Sequence, residues 1–322
     1  MNRCSLAVLL VARALGQHPN FTSGVSIVEV DAQVIGNGGT IDGLHAADFS
    51  VKDNGNPITL RYCSQDDTAL DLLLVFELSR FMAPQLAQIR AAAEIAMGEL
   101  TEGDRVAVMS FNKTSRIELP LASDLKSVRP RIRLGLLNAA FEKEPAILAA
   151  ADASAKYFLA QKAGGHRVVL MFTGDVALRT PDVDSGMTTR HLWDANAALS
   201  AMVIPNAAAR FLRFDGMDIV QLKKFLNISM SDFVEDVAKD TGGAVVFTAD
   251  MPPKIRATPH PNAELRLMIQ RMRRQYRLYY DRPAGKAGQH RRVDIDLTPN
   301  TRLAHPEARI IARKGYVIPG ND

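Results

Sequence analysis

The sequence contains little cysteine and tryptophan, and it has no long apolar stretch after its first residues. Cys4 and Cys63 are the only cysteines among 322 residues. This scarcity excludes a disulfide framework, and no cysteine and histidine pair has the spacing of a zinc site. The fold therefore depends on a hydrophobic core, which a chain of this length is long enough to form.

The composition is that of an ordinary globular protein. Apolar residues make up 47% and charged residues 23% of the chain, which excludes a wholly disordered or fibrous chain. The 39 basic and 35 acidic side chains nearly balance, so charge alone does not indicate a nucleic-acid partner. Arginines do cluster over 266–292, and a phosphate-binding groove is one interpretation. We favour a solvated helix face with strand edges, and predict no nucleic-acid binding.

The first 16 residues have the layout of a secretory signal peptide. A short basic start precedes nine uncharged residues at 4–12, and Ala14 and Gly16 place small residues at the −3 and −1 positions of a cut before Gln17. One arginine interrupts the pattern, so a buried N-terminal helix or a misassigned start are alternatives. We predict a signal peptide over 1–16, a secreted or periplasmic location, and no membrane span, since no other stretch approaches about 20 apolar residues.

Residues 21–66 are predicted to form an N-terminal β segment. Stretches rich in β-branched residues lie at 25–34, 48–52 and 58–62, and turns rich in glycine and asparagine separate them. This pattern indicates a small antiparallel unit.

The pattern changes to alternating strands and helices over residues 67–250. Nearly uninterrupted apolar runs predict strands buried on both faces, at 70–76, 105–111, 167–172 and 244–248. Helical periodicity predicts helices between them, at 84–100, 125–137, 146–161, 191–202 and 232–239. This alternation predicts an α/β fold with a doubly wound, mostly parallel sheet.

A helix and three strands are predicted over 264–319, after a proline-rich connector. The strands lie at 276–280, 291–297 and 308–312. Because three strands alone are barely stable, we expect them to pack with the N-terminal β segment. The predicted architecture is an α/β domain inserted into a smaller β domain that both chain ends form.

Two strand ends carry motifs that resemble those of von Willebrand factor type A domains. Residues 76–82 read Phe-Glu-Leu-Ser-Arg-Phe-Met, and residues 172–175 read Phe-Thr-Gly-Asp. Further short motifs follow in matching order, at 48–49, 53–55, 240–243, 276–280 and 313–316. Over most of its mature length the chain resembles the VWFA-related proteins of the Acidobacteria. The resemblance implies a Rossmann-type α/β fold and a secreted protein-interaction module.

The resemblance also implies where a metal site would lie. In this family an Asp-x-Ser-x-Ser motif, a Thr from a second loop and an Asp from a third loop hold Mg²⁺, whose preferred ligands are hard oxygens. Here Glu77 stands at the first Asp and Ser79 matches the first Ser. Phe81 and Pro145 stand at two further ligand positions, and neither side chain carries an oxygen.

The third loop departs from the family pattern as well. The family order is Thr-Asp-Gly, whereas here it is Thr173-Gly174-Asp175, so the acidic residue comes one position later. We therefore predict a degenerate site with no metal and no cofactor, in which Glu77, Ser79 and Asp175 are weak candidates for Mg²⁺. Glu77, Ser79 and Asp175 are predicted instead to cap the following helix and order the loops. The predicted binding residues at this loop edge of the sheet are Glu77, Ser79, Thr173 and Asp175, and the predicted partner is an unidentified protein ligand.

No enzyme motif accompanies these residues. Seven histidines are present, but Gly-x-Ser-x-Gly, His-Glu-x-x-His and glycine-rich phosphate loops are missing from the sequence. We predict a secreted or periplasmic protein-interaction module that is metal-independent and is not an enzyme. The alternatives are an enzyme of unknown chemistry at the same edge, or metal-dependent adhesion through a rearranged site at Glu77, Ser79 and Asp175.

Overall fold

The computed structural model describes residues 27–319, apart from 38, 66, 81, 138–144, 163, 175–182, 205–212, 215–216, 219–231 and 249–259. The predicted signal peptide over 1–16 and two residues of the predicted edge, Phe81 and Asp175, lie outside the described residues.

Five strands form between residues 27 and 64, where β-branched residues are frequent. They are β1 (Ile27–Gly36), β2 (Gly39–Thr40), β3 (Phe49–Asp53), β4 (Asn56–Ile58) and β5 (Tyr62–Ser64). The two-residue turn between β3 and β4 has Asn54 and Gly55 at φ angles of 48° and 80°. Asparagine and glycine tolerate this left-handed conformation, which matches the twist of a hairpin.

Strands and helices alternate along the middle of the chain. The elements are β6 (Leu70–Glu77), α1 (Leu86–Gly98), β7 (Arg105–Phe111), β8 (Ser115–Ala122), α2 (Leu125–Leu137), α3 (Ile147–Leu159), β9 (His166–Gly174), α4 (Ser185–Asp194), β10 (Ala197–Ile204), β11 (Arg213–Phe214), β12 (Met217–Asp218), α5 (Asp232–Thr241) and β13 (Val245–Phe247). The helix predicted over 191–202 is wrong from residue 195 onward, because α4 ends at Asp194 and β10 follows.

The C-terminal part contains two helices and four strands. They are α6 (Pro261–Arg273), β14 (Tyr276–Asp281), β15 (His290–Leu297), α7 (Pro299–Ala304), β16 (Arg309–Ala312) and β17 (Gly315–Val317). Proline stands at the first or second position of both helices, where its missing N–H costs no helical hydrogen bond.

Six strands form the central sheet, in the order β13-β10-β9-β6-β7-β8. Neighbouring strands are parallel except β8, which runs antiparallel to β7. All eight residues of β6 are buried, as expected for a strand covered on both faces. The predicted α/β class with a doubly wound, mostly parallel sheet is confirmed by this order. When the six strands are numbered in chain order, their order across the sheet is 3-2-1-4-5-6. The strand order therefore reverses between β6 and β9, although these two strands are parallel.

Helices cover both faces of this sheet. Alternate residues of β6 enter opposite cores: Leu72 and Leu74 pack in the core that α1 and α6 cover, and Leu73 and Val75 pack with α3, α4 and α5. Within the described residues, no helix combines the length and apolar content needed to cross a bilayer.

Strands from the two ends of the chain pair with each other in two further sheets, one of five strands and one of four. In the first sheet β1 lies between β14 and β16, with Val30 opposite Leu278. In the second, β3 pairs with β15, with Val51 opposite Ile295. The core between these sheets combines residues from both ends, among them Tyr276. Strands more than 200 residues apart therefore share one β unit.

The helix α6, which we predicted to pack with the C-terminal strands, lies against the central sheet instead. The buried face of α6, which includes Leu265 and Ile269, lies in the core of the parallel sheet beside α1. The reason is the i, i+3, i+4 and i+7 spacing of its apolar residues, which form one stripe that packs against the central sheet. The segment 264–319 is thus split, with its helix on the α/β layer and its strands in the β unit.

Candidate functional site

The carboxyl ends of β6 and β9 lie side by side at one edge of the central sheet. Phe76 and Phe172, the last aromatic residues of the two strands, stack with ring centroids 4.9 Å apart and an interplanar angle of 7°. Glu77 ends β6 and Gly174 ends β9. Because the strand order reverses between these two strands, this edge is the position at which doubly wound sheets form ligand crevices.

The Glu77 carboxylate accepts hydrogen bonds from both strand ends. Ser79 Oγ donates to Glu77 Oε1 from the turn that follows β6. Thr173 Oγ1 donates to Glu77 Oε2 at 2.6 Å, and the Gly174 amide donates to the same oxygen at 2.8 Å. Three of the four predicted edge residues, Glu77, Ser79 and Thr173, are therefore brought together, and the Gly174 amide joins them.

These groups lie inside the protein. The side chains of Glu77, Ser79 and Thr173 are each 0% exposed. The buried Met82 packs closely against this strand end, since a Cβ atom placed on Gly174 would lie 3.1 Å from Met82 Sδ.

This arrangement can tie the two strand ends together. Hydrogen bonds to a charged group are about twice as strong as neutral ones, and a carboxylate with three donors is well compensated for its burial. The cluster, which we call the Glu77 cluster (Glu77, Ser79, Thr173 and Gly174), fixes the starts of the loops after β6 and β9. Being buried, its side chains do not reach a protein partner directly.

The described part of this edge does not fit a Mg²⁺ site. Glu77 is the single carboxylate of the cluster, and both of its oxygens already accept hydrogen bonds from the protein. Pro145 is buried in the second loop and offers no side-chain oxygen. Among the described residues no group of three or more His, Cys, Asp or Glu side chains is placed to hold a metal. Mg²⁺ requires near-octahedral oxygen coordination, which this donor set does not supply.

A buried ion pair at the opposite edge was not predicted from the sequence. Asp71 is 1% exposed and accepts hydrogen bonds from Arg105 Nε at 2.7 Å and Nη2 at 2.5 Å. The amides of Gly164 and Gly165 donate to the same carboxylate, each at 3.2 Å. The sequence does contain an indication of this ion pair, because Asp71 interrupts an apolar run and a buried charge requires partners.

A second buried carboxylate links the α/β layer to α6. Asp104 accepts from Arg273 Nη1 at 2.8 Å and Nη2 at 2.7 Å, and from the Leu70 and Thr101 amides at 2.8 Å and 2.7 Å. Burial raises the pKa of Asp104, but the hydrogen bonds from Arg273 and the two amides outweigh it, so the pKa lies below its ordinary value.

A third buried carboxylate joins the two chain ends in the β unit. Asp53 is 0% exposed, and Arg291 Nε donates to its Oδ1 at 2.5 Å. The hydroxyls of Tyr280 and Tyr316 donate to Oδ2 at 3.0 Å and 2.8 Å. Burial, with the nearby Asp53 charge, raises the pKa of both tyrosines. The sequence motifs at 53–55, 276–280 and 313–316 each contribute one residue to this cluster.

Asp152 and His191 form a further titratable pair. The His191 Nδ1 atom lies 2.5 Å from Asp152 Oδ1, and Lys156 Nζ lies 2.8 Å from Oδ2. Burial raises the pKa of Asp152, whereas the hydrogen bonds from Lys156 and His191 lower it, and the net pKa is below its ordinary value. The pair joins α3 to α4.

No family model and no curated protein matches the sequence. Solved structures are similar to it. An aerotolerance-related membrane protein from Bacteroides fragilis NCTC 9343 is 15% identical, with a TM-score of 0.46, and the match covers 63% of this chain and 98% of that chain. A von Willebrand factor type A structure from Catenulispora acidiphila is 12% identical, with a TM-score of 0.47, over 94% of this chain and 76% of that chain.

Proximal thread matrix protein 1 from the mussel byssus is also similar. It is 12% identical, with a TM-score of 0.48, and the match covers 68% of this chain and 50% of that chain. Structures similar to this chain thus include a von Willebrand factor type A domain. At these levels of similarity, the fold class of the chain rests on its own strand order and packing.

Proposed function

We propose that this chain is a protein-interaction module that binds its partner through the loops at the carboxyl edge of the central sheet. The observation that carries the proposal is the Glu77 cluster, whose buried hydrogen bonds hold the ends of β6 and β9 together. Binding residues are commonly found on loops that a rigid scaffold positions, and this edge lies at the reversal of strand order.

The exposed residues of the edge supply the contact surface in this proposal. Arg80 follows the Glu77 cluster in the first loop, and Lys113 and Thr114 lie in the loop after β7. The two loops are adjacent, because the Leu78 amide donates to the Phe111 carbonyl oxygen at 2.7 Å. The buried Glu77, Ser79 and Thr173 position the surface, and the exposed residues would contact the partner.

Binding at this edge is proposed to be independent of metal. The Glu77 oxygens accept protein hydrogen bonds, and Pro145 stands at a position where the family pattern has an oxygen ligand. The competing proposal is a rearranged site in which Asp175 joins Glu77 and Ser79 in holding a cation. The response of thermal stability to divalent cations separates the two proposals.

Export from the cytoplasm is the second part of the proposal, and it rests on the sequence of residues 1–16. When the full chain is expressed in a bacterium, the exported protein should begin at or near Gln17. Leu9→Arg, which places a charge in the apolar run, should keep the chain in the cytoplasm with residues 1–16 attached. Exported protein that still begins with Met1 would contradict the signal peptide.

Partner binding is tested with a matched pair of charge-reversal variants. The edge variant carries Arg80→Glu and Lys113→Glu, and the control carries Lys52→Glu and Lys286→Glu at exposed positions of the β unit. Each immobilised protein is incubated with extracellular extract from the source culture in EDTA, and bound proteins are quantified by mass spectrometry. A partner retained by the wild type and the control but lost by the edge variant supports the proposal. Equal retention by all three proteins contradicts it.

A further inference from the structure

A groove of about 420 Å³ lies between α1 and α2. Three arginines line it, Arg90 from α1 and Arg129 and Arg133 from α2, together with apolar side chains such as Ile132. Glu94 is the single acidic residue of the lining. The volume is in the range of sites that bind small molecules or a few side chains. The residues are different from those of the Glu77 cluster and of the loops beside it.

Protein groups do little to neutralise these arginines. Arg129 donates from Nη2 to the Met97 carbonyl oxygen at 2.7 Å, which is a neutral acceptor. The Arg90 Nε atom is buried without a hydrogen-bond partner among the described residues, and a buried donor without an acceptor is costly. Arg129 and Arg133 are one helical turn apart, a spacing at which like charges destabilise a helix. This part of the fold therefore accumulates positive charge that the chain itself leaves largely uncompensated.

The lining indicates the chemistry of a ligand. Guanidinium groups bind carboxylates and phosphates through two parallel hydrogen bonds. The apolar part of the groove, which includes Met97 and Ile132, favours a ligand that also carries alkyl groups. A nucleic-acid backbone brings phosphates but no alkyl side chain, whereas an acidic peptide brings both carboxylates and apolar side chains.

We propose that the groove between α1 and α2 binds an acidic segment of a partner protein. Carboxylates of the segment pair with Arg90, Arg129 and Arg133, and an apolar side chain packs on Ile132. The groove is a second interaction surface, independent of the loop edge of the sheet.

The proposal is tested by fluorescence anisotropy with a labelled hexapeptide, Asp-Glu-Leu-Leu-Glu-Asp, and its amide counterpart, Asn-Gln-Leu-Leu-Gln-Asn. Arg129→Glu and Arg133→Glu reverse charges that line the groove. Arg131→Glu makes the same charge change at an exposed position of the same helix that does not line it. Unfolding midpoints check that each variant folds, and Arg133→Gln replaces any charge reversal that does not.

We expect the acidic peptide to bind at least tenfold more tightly than the amide peptide. Arg129→Glu and Arg133→Glu should each weaken binding at least tenfold, and Arg131→Glu less than threefold. Equal weakening by all three variants would show attraction to net charge and overturn the proposal. Peptide binding that none of the variants changes would also overturn the proposal. Equal affinity for the acidic peptide and the amide peptide would overturn it as well. Displacement by a 12-nucleotide oligothymidylate at lower concentration than by unlabelled acidic peptide would indicate a phosphate-polymer site and overturn it too.

Discussion

Replacing Glu77 with alanine should destabilise the protein substantially, and replacing it with glutamine should not. In Glu77→Ala the Ser79 and Thr173 hydroxyls and the Gly174 amide lose their buried acceptor. An unsatisfied buried donor costs about 1–3 kcal/mol. The hydroxyls can rotate towards other acceptors, whereas the amide cannot. We therefore expect a loss of about 3–5 kcal/mol in the free energy of unfolding, including the cavity that the deleted side chain leaves.

Glu77→Gln retains most of this hydrogen bonding. Its amide oxygen can accept from Thr173 and Gly174, its NH₂ group can donate to Ser79, and the variant avoids the cost of burying a charge. The free energy of unfolding should change by no more than about 1 kcal/mol. Urea unfolding measures both variants, with Glu102→Ala as a control because Glu102 is exposed in a turn. A Glu77→Ala variant as stable as the wild type would refute the reasoning, because the Glu77 carboxylate would then have no structural role.

Three further predictions concern Asp104, Gly165 and Cys63. Because the pKa of Asp104 is lowered in the folded protein, its contribution to stability is present above the ordinary pKa of aspartate and lost as the pH falls through the folded value. The stability difference between the wild type and Asp104→Asn in urea should therefore narrow from pH 7 to pH 3. Gly165→Ala places a Cβ atom 2.3 Å from the Ala69 carbonyl oxygen and should cost at least about 2 kcal/mol by the same assay, whereas Gly98→Ala, which meets open space, should not destabilise. Burial, with the Asp48 charge, raises the pKa of Cys63 to about 11, so alkylation by iodoacetamide at pH 8, followed by mass spectrometry, should be slow until the chain is unfolded. The first prediction is contradicted if the stability difference between the wild type and Asp104→Asn stays constant with pH. The second is contradicted if Gly165→Ala is as stable as the wild type, and the third if Cys63 is alkylated rapidly in the folded protein.

The central sheet could be predicted because its strands have a simple sequence signature. β6 is nearly all apolar, and such runs are typical of strands buried on both faces. β10 could not be distinguished from a helix in the same way, because four of its first five residues, at 197–201, are small and the segment lacks a period of two. Its conformation depends on pairing with β9 along the whole strand and on Asn196, whose φ of 50° ends the preceding helical turn.

The candidate site could be predicted in part. The positions of Glu77 and Thr173 at the ends of buried parallel strands were sufficient to place them at one edge. The Gly174 amide could not be predicted, because backbone donors leave no side-chain signal in a sequence. The pairing of Asp53 with Arg291 spans 238 positions, and nothing in the local sequence of either residue identifies the other.

The most direct test of the metal-independent edge is thermal unfolding of the full chain with and without divalent cations. We predict that millimolar Mg²⁺ or Mn²⁺ changes the unfolding midpoint by less than about 1 °C. A cation present at 100 times its dissociation constant would add about 2.7 kcal/mol, which raises the midpoint by about 5–10 °C in a domain of about 200 residues. A rise of that size, absent in Glu77→Ala but kept in Glu102→Ala, would contradict the account and assign a working cation site to Glu77.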